Sequence, residues 1–179
     1  MSVKAVFMDR DGTINVDTNY VNSPGQLVLL PNSGKAIKLL NKNEFKIVVV
    51  SNQSGVARGY LTLVTLGAIH RKLRFLLKKD KALLDAVYYC PYHPNDKSSC
   101  RKPDIGLALR AKKDLDIDFK RSYMIGDSQA DVGFGNNIGA KTILVLTGKS
   151  KGNEPWLKKY RIDFVAEDLL GAARWILNN

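Results

Sequence analysis

The sequence predicts an α/β domain built as a doubly wound, mainly parallel five-stranded sheet over residues 1–179, with no separate cap domain. Three observations carry this expectation. Short apolar runs rich in Val, Ile and Tyr alternate along the chain with longer segments whose apolar residues recur at helical spacing. Such alternation joins parallel strands through right-handed crossovers and leaves helices on both faces of the sheet. The length of 179 residues suits one packed core and is short for two.

Taken in order, the first strand covers residues 3–8, where Ala5-Val6-Phe7-Met8 is continuously apolar. It runs into Asp9-Arg10-Asp11-Gly12-Thr13-Ile14, whose Gly and Thr supply a turn. A helix over 33–43 carries Ile37, Leu39 and Leu40, and a second strand over 46–50 ends at Ser51 and Asn52. The helix over 62–79 places Leu66, Ile69, Leu73, Leu76 and Leu77 on one stripe. His70 falls on that stripe and reads as a packed or rim histidine rather than a ligand. Strands over 86–90, 123–125 and 141–146 then alternate with helices over 105–115, 131–138 and 168–177. The longest linkers, 14–31 and 91–103, are too short to fold an independent cap, so the functional face should be open.

Composition narrows the classes. With 45% hydrophobic and 25% charged residues the chain is an ordinary globular one, without low-complexity segments or internal repeats. No apolar stretch approaches the roughly 20 residues needed to cross a bilayer, and charge interrupts the N-terminal run early, so a cytoplasmic protein is expected. Cys90 and Cys100 are too few for a disulfide framework and are expected to be thiols in a reducing compartment. The net charge of +11 fits nucleic acid, an acidic surface or a phosphorylated substrate. Much of it lies in Arg71, Lys72, Arg74, Lys78, Lys79 and Lys81, around one predicted helix. Because a regular interleaving of aromatic with basic residues is absent, a solvated basic surface is preferred to a nucleic-acid groove.

Chemistry concentrates at the strand ends. Side chains alternate along a strand, so Asp9 and Asp11 should point the same way and Arg10 the other, with both carboxylates at the carboxyl end where open α/β sheets bind ligands. Ser51 and Asn52 end the second strand, Gly126-Asp127-Ser128-Gln129-Ala130-Asp131 follows the fourth, and Lys102 arrives in Cys100-Arg101-Lys102-Pro103-Asp104. Taken together, these residues resemble the four motifs of the haloacid dehalogenase (HAD) superfamily. One Asp-x-Asp alone arises by chance; four motifs in order do not. The resemblance implies a phosphatase in which Asp9 is the nucleophile and forms an aspartyl-phosphate, with Asp11 as general acid and then base. It further implies that Ser51 and Lys102 hold the equatorial phosphate oxygens and that Asp131 orients Lys102 or a metal-bound water. Mg²⁺ would be held by the Asp9 and Asp127 carboxylates and the Asp11 backbone carbonyl.

A narrower resemblance spans nearly the whole chain. Asp9-Arg10-Asp11-Gly12-Thr13-Ile14-Asn15, Tyr20-Val21, the run from Ser51-Asn52-Gln53-Ser54 to Arg58-Gly59, Tyr89-Cys90-Pro91, Cys100-Arg101-Lys102-Pro103 and Thr147-Gly148-Lys149 resemble the D-glycero-D-manno-heptose 1,7-bisphosphate phosphatase group, which also includes histidinol-phosphate phosphatases. It implies that Asn52, Gln53, Ser54 and Arg101 face the substrate, as do Asp17 and Tyr20. Arg101 suits a second phosphate, because a planar guanidinium grips two oxygens at once. Relatives often carry four Cys and His ligands for a structural zinc in the loop before Lys102; here the positions read Cys90, Tyr92, Ser98 and Cys100, so bound zinc is not expected. The expectation is a monomeric phosphatase for a small phosphorylated sugar, with no membrane partner. Histidinol phosphate, a polynucleotide 3′-phosphate end and a non-catalytic basic binding module are the alternatives.

Overall fold

The computed structural model describes residues 2–179. Its centre is a sheet of β1 (Ala5–Met8), β2 (Lys46–Asn52), β3 (Ala86–Cys90), β4 (Tyr123–Gly126), β5 (Lys141–Val145) and β6 (Phe164–Ala166). The strands lie in the order β3-β2-β1-β4-β5-β6, and every pairing is parallel. The helices are α1 (Ser33–Lys42), α2 (Leu63–Lys79), α3 (Gly106–Leu115), α4 (Gln129–Ile138) and α5 (Leu169–Leu177).

The expected parallel α/β sheet is present, but with six strands rather than five. The sequence does not reveal β6 because Phe164-Val165-Ala166 is only three residues long, too short an apolar run to show a period, and it sits at the sheet edge. It is fixed by pairing with β5, Ile143 to Phe164 through Val145 to Ala166.

Period-two alternation divides the core. Val6 and Met8 of β1, with Ile47, Val49 and Ile125, join the apolar stripes of α1, α2 and α5 on one face. Ala5 and Phe7, with Val48, Val50 and Met124, meet Leu107 and Ala108 of α3 and Phe134 and Ile138 of α4 on the other. Each fully buried Leu, Ile or Phe contributes about 1.5–3 kcal/mol. Helix starts follow local chemistry: Thr62 accepts from Thr65 N, Asp168 accepts from Gly171 N, and Ser128 and Asp131 cap each other reciprocally. Among the described residues no helix is long and apolar enough to cross a membrane.

What this order positions is the crevice at its switch point. From β1 the chain progresses to β2 and β3 on one side, while β4, β5 and β6 progress on the other. Loops leaving β1 and β4 therefore diverge, and ligands bind at such a crevice.

Candidate active site

Asp9 directly follows β1, and its backbone N–H donates to Ile125 O of β4 at 3.0 Å, which anchors it over the crevice. Asp127 directly follows β4 and is 1% exposed; its Oδ2 accepts from Lys149 N at 2.7 Å. A Cβ at Gly12 would stand 2.6 Å from Asp127 Oδ2, and one at Gly148 would stand 2.1 Å from it, so only glycine lets both backbones close around this carboxylate. Oxygen atoms of Asp9, Asp127 and Asp131 lie within 4.8 Å of one another.

Among the described residues, Lys102 is the ammonium set into this group. It is 3% exposed and its Nζ lies 2.9 Å from Asp9 Oδ1 and 2.6 Å from Asp131 Oδ1, while donating to Val50 O at 2.7 Å. Two of the ammonium's three donors are thereby bonded, to Asp131 and Val50, while the contact with Asp9 is an ion pair without hydrogen-bond geometry. Asn52 holds the loop that delivers it, accepting from Lys102 N at 3.0 Å and donating to Lys102 O at 3.1 Å. The Lys102–Pro103 peptide is cis. Asp131 is fixed at its other oxygen by Ser128 N and Oγ, the capping box that starts α4.

Burial, opposed by Lys102 and reinforced by Asp131 and Asp11, raises the Asp9 carboxyl to about 6. Burial, with Asp131 and Asp9 beside it, raises Asp127 to about 7. The Lys102 ammonium is disfavoured by burial, but Asp131 and Asp9 more than offset this and its pKa is raised. Three carboxylates against one ammonium leave a surplus of negative charge in a buried, all-oxygen donor set. Such a set fits a hard divalent cation.

Asp9 and Asp11 line the cleft and Arg10 does not; its guanidinium is fully buried against Asp11. Arg10 Nε and Nη2 donate to Asp11 Oδ1 at 3.1 and 2.9 Å, and Nη2 donates to Oδ2 at 2.7 Å. Asn15 Nδ2 and Gln53 Nε2 add bonds of 2.9 Å each. Gln53 also donates to Ser51 Oγ at 2.8 Å, so it links the end of β2 to Asp11 and does not line the cleft. The turn's own backbone bonds run to Arg10 O and Asn15 O, leaving the Asp11 carbonyl outside them.

Above these groups lies a cleft of ≈ 380 Å³, lined by Asp9, Asp11, Ser51, Asn52, Ser54 and Lys102 at its base. Asp17, Tyr20, Arg58, Arg101 and Lys149 also line it. Arg101 Nη1 is buried without a hydrogen-bond partner among the described residues, and burial together with the nearby Arg58 guanidinium lowers its pKa. Lys149 Nζ reaches Asp17 Oδ2 at 3.8 Å. Arg58 and Lys149 were not among the predicted site residues, although each stands within a quoted motif segment; only the fold reveals that both converge with Arg101.

Residues 99–172 match the HAD-hydrolase-like family. The chain is 40% identical to D-glycero-beta-D-manno-heptose-1,7-bisphosphate 7-phosphatase of Haemophilus ducreyi over 158 residues, covering 84% of this chain and 87% of that protein. It is 36% identical to the enzyme of the same name from Escherichia coli, covering 99% and 90% of the two chains. This chain belongs to the HAD-like heptose bisphosphate phosphatase family. The fold agrees, since a crystal structure of D,D-heptose 1,7-bisphosphate phosphatase from B. bronchiseptica, complexed with magnesium and phosphate, superposes with a TM-score of 0.89 at 34% identity over 98% of both chains.

One loop of this HAD-like chain departs from expectation. Cys90 and Cys100 are joined by a disulfide with Cα atoms 5.4 Å apart, rather than being free thiols. Strand β3 ends at Cys90, and the loop returns beside it before Lys102, which brings the two within bridging range. Ser98 Oγ lies 3.1 Å from Cys100 Sγ and 3.8 Å from Cys90 Sγ, so three of the four positions noted in the sequence do cluster. Tyr92, the fourth, is 52% exposed.

Proposed function

We propose that this chain is a Mg²⁺-dependent phosphomonoester hydrolase that removes the 7-phosphate of D-glycero-D-manno-heptose 1,7-bisphosphate through an aspartyl-phosphate. The single observation that carries the reading is the buried cluster of Asp9, Asp127 and Asp131 around Lys102, facing a cleft whose Arg101 has an unpartnered buried donor. The catalytic roles assigned here belong to this proposal, as do an uncapped single domain over residues 1–179, a monomeric state and a cytoplasmic setting.

In this reading Asp9 attacks phosphorus in line. A bond forms from its carboxylate oxygen to phosphorus, and the bond to the sugar oxygen breaks. Asp11 delivers a proton to that departing oxygen, then takes one from the water that attacks the aspartyl-phosphate, which releases phosphate and restores Asp9. Lys102 and Ser51 hold the equatorial oxygens, where charge must be stabilised. The Asp9 and Asp127 carboxylates with the Asp11 carbonyl would hold Mg²⁺, which neutralises the surplus negative charge so that a phosphate dianion can approach. Arg101, Arg58 and Lys149 would take the second phosphate of the substrate, the guanidinium fork gripping two oxygens.

Phosphate release is to be measured with Mg²⁺ on heptose 1,7-bisphosphate, other sugar bisphosphates, histidinol phosphate and a 3′-phosphorylated oligonucleotide. The expected result is the highest kcat/KM for the heptose bisphosphate, lost in Asp9→Asn. Preferential turnover of the oligonucleotide or of histidinol phosphate would replace the substrate. Binding with steep salt dependence and no turnover of any phosphate would replace the enzyme reading by a binding module.

A further inference from the structure

Arg10 carries a positive charge with no solvent exposure, and it reaches Asp11 through Nε and Nη2 only. Its remaining group, Nη1, lies 3.4 Å from Nε2 of His70. His70 sits in the middle of α2, is 8% exposed, and stacks at a tilt on Tyr89 of β3 with ring centroids 5.5 Å apart. The mechanism above does not use it.

The chemistry of the two side chains fixes the direction of their contact. A guanidinium has donors and no acceptor, so Nε2 of His70 must present its lone pair and the ring must be neutral with its proton on Nδ1. An imidazolium in this place would set two cations against each other without a shared acceptor. The groups around the ring are Arg10 and Asp11 from the turn after β1, Arg74 from its own helix and Tyr89 from β3. Burial and the two arginines outweigh Asp11 and lower His70 to about 4, in keeping with a neutral acceptor.

We propose that His70 is a positioning residue for phosphoryl transfer: its neutral ring accepts from Arg10 and thereby fixes the guanidinium that orients Asp11. The inference rests on Asp11 acting as general acid and base. It assigns a function to a residue that helical periodicity alone places in the core, and it gives α2 a direct mechanical connection to the catalytic turn. Asp11 has to meet the sugar oxygen leaving phosphorus, and its approach starts from the position that Arg10, Asn15 and Gln53 define. With Nη1 unpartnered, the guanidinium would turn toward another acceptor and take Asp11 with it. Misplacing a catalytic group by about 1 Å costs on the order of 10²-fold.

The test compares His70→Leu, which has no acceptor, with His70→Gln, whose amide oxygen restores one. kcat/KM is measured on an alkyl phosphate and on an activated aryl phosphate, whose leaving group hardly needs a proton. His70→Leu is expected to lose about 10- to 100-fold on the alkyl substrate and under about threefold on the aryl one, with His70→Gln recovering most of the loss. Adding His70→Leu to Asp11→Asn should cost little more, since both act through one carboxyl. Equal losses on the two substrates, full additivity with Asp11→Asn, or no rescue by glutamine would overturn the proposal. If Asp11→Asn itself fails to separate the two substrates, the acid–base reading of Asp11 has failed instead. Nitrogen-15 NMR of the histidine rings in the unmodified protein supplies a check independent of variant folding. The Nδ1–H tautomer is expected for His70 near pH 7, and an Nε2–H tautomer or an imidazolium would overturn the proposal.

Discussion

Replacing Lys102 by methionine keeps the aliphatic stem and deletes the charge paired with Asp9 and Asp131. Lys102 Nζ lies 2.9 Å from Asp9 and 2.6 Å from Asp131 and is 1% exposed at the side chain, so solvent screens these pairs little. Unit charges 4 Å apart interact by about 4 kcal/mol at an effective permittivity of roughly 20, and both contacts are shorter than that. Removing one partner of a buried pair costs about 3–5 kcal/mol, because the other charge stays behind. Lys102→Met is therefore expected to lose about 3–5 kcal/mol of stability without Mg²⁺, and much less with it, because a divalent cation answers the same surplus. Affinity for Mg²⁺ should rise while kcat/KM falls by about 10²–10³, the loss typical of one donor to developing charge. Denaturant unfolding with and without Mg²⁺, together with a Mg²⁺ titration of activity, measures both signs. An equal stability loss in the two conditions and unchanged Mg²⁺ affinity would refute the claim that Lys102 and the cation act on one pool of charge.

Other perturbations isolate single parts of the site. Asp9→Asn should reduce phosphate release to background while leaving Mg²⁺-independent folding intact, as followed by circular dichroism. Asp11→Asn should lower kcat/KM by about 10²–10⁴ on alkyl phosphates and less on an activated aryl phosphate. Arg58→Ala and Arg101→Ala should each raise KM for a bisphosphate by roughly 10- to 150-fold, the equivalent of about 1.5–3 kcal/mol for a hydrogen bond to a charged group, and leave a monophosphate nearly unaffected. Because Asp9 and Asp127 are raised to about 6 and about 7, charging them destabilises the metal-free protein as pH climbs from near 4 through those values, so the Mg²⁺-induced rise in Tm should grow from pH 5 to pH 8. His70, lowered to about 4, acts in the other direction: its contribution is complete above the unfolded value of 6.5 and is lost as pH falls toward 4. A Tm difference taken with and without Mg²⁺ cancels the His70 part, and a flat difference across that range would contradict the carboxylate assignment.

What the sequence made legible was whatever is local. A continuous apolar run located β1 and placed Asp9 at its end, and a run of Gly-Asp with a following acid located Asp127 and the start of α4. The edge strand β6 escaped because three residues hold no periodicity, and the Cys90–Cys100 bridge escaped because its closeness depends on how a loop returns to β3. Alternation is also silent about where a long side chain ends. It fixes the direction of a Cα–Cβ bond, and for Asp9 and Asp11 that nearly settles where the carboxylate goes. For Arg10 the guanidinium lies several bonds beyond Cβ, and its destination is set by the acceptors it can reach: Asp11 on one side and His70 on the other. His70 in turn reads as core by helical spacing because it is buried, yet a buried imidazole needs a polar partner, and that partner lies 60 positions away in sequence. The candidate carboxylates were therefore visible as a pattern, whereas the residues that touch Asp11 were not, since those contacts join separate turns of the chain that no spacing within one element records.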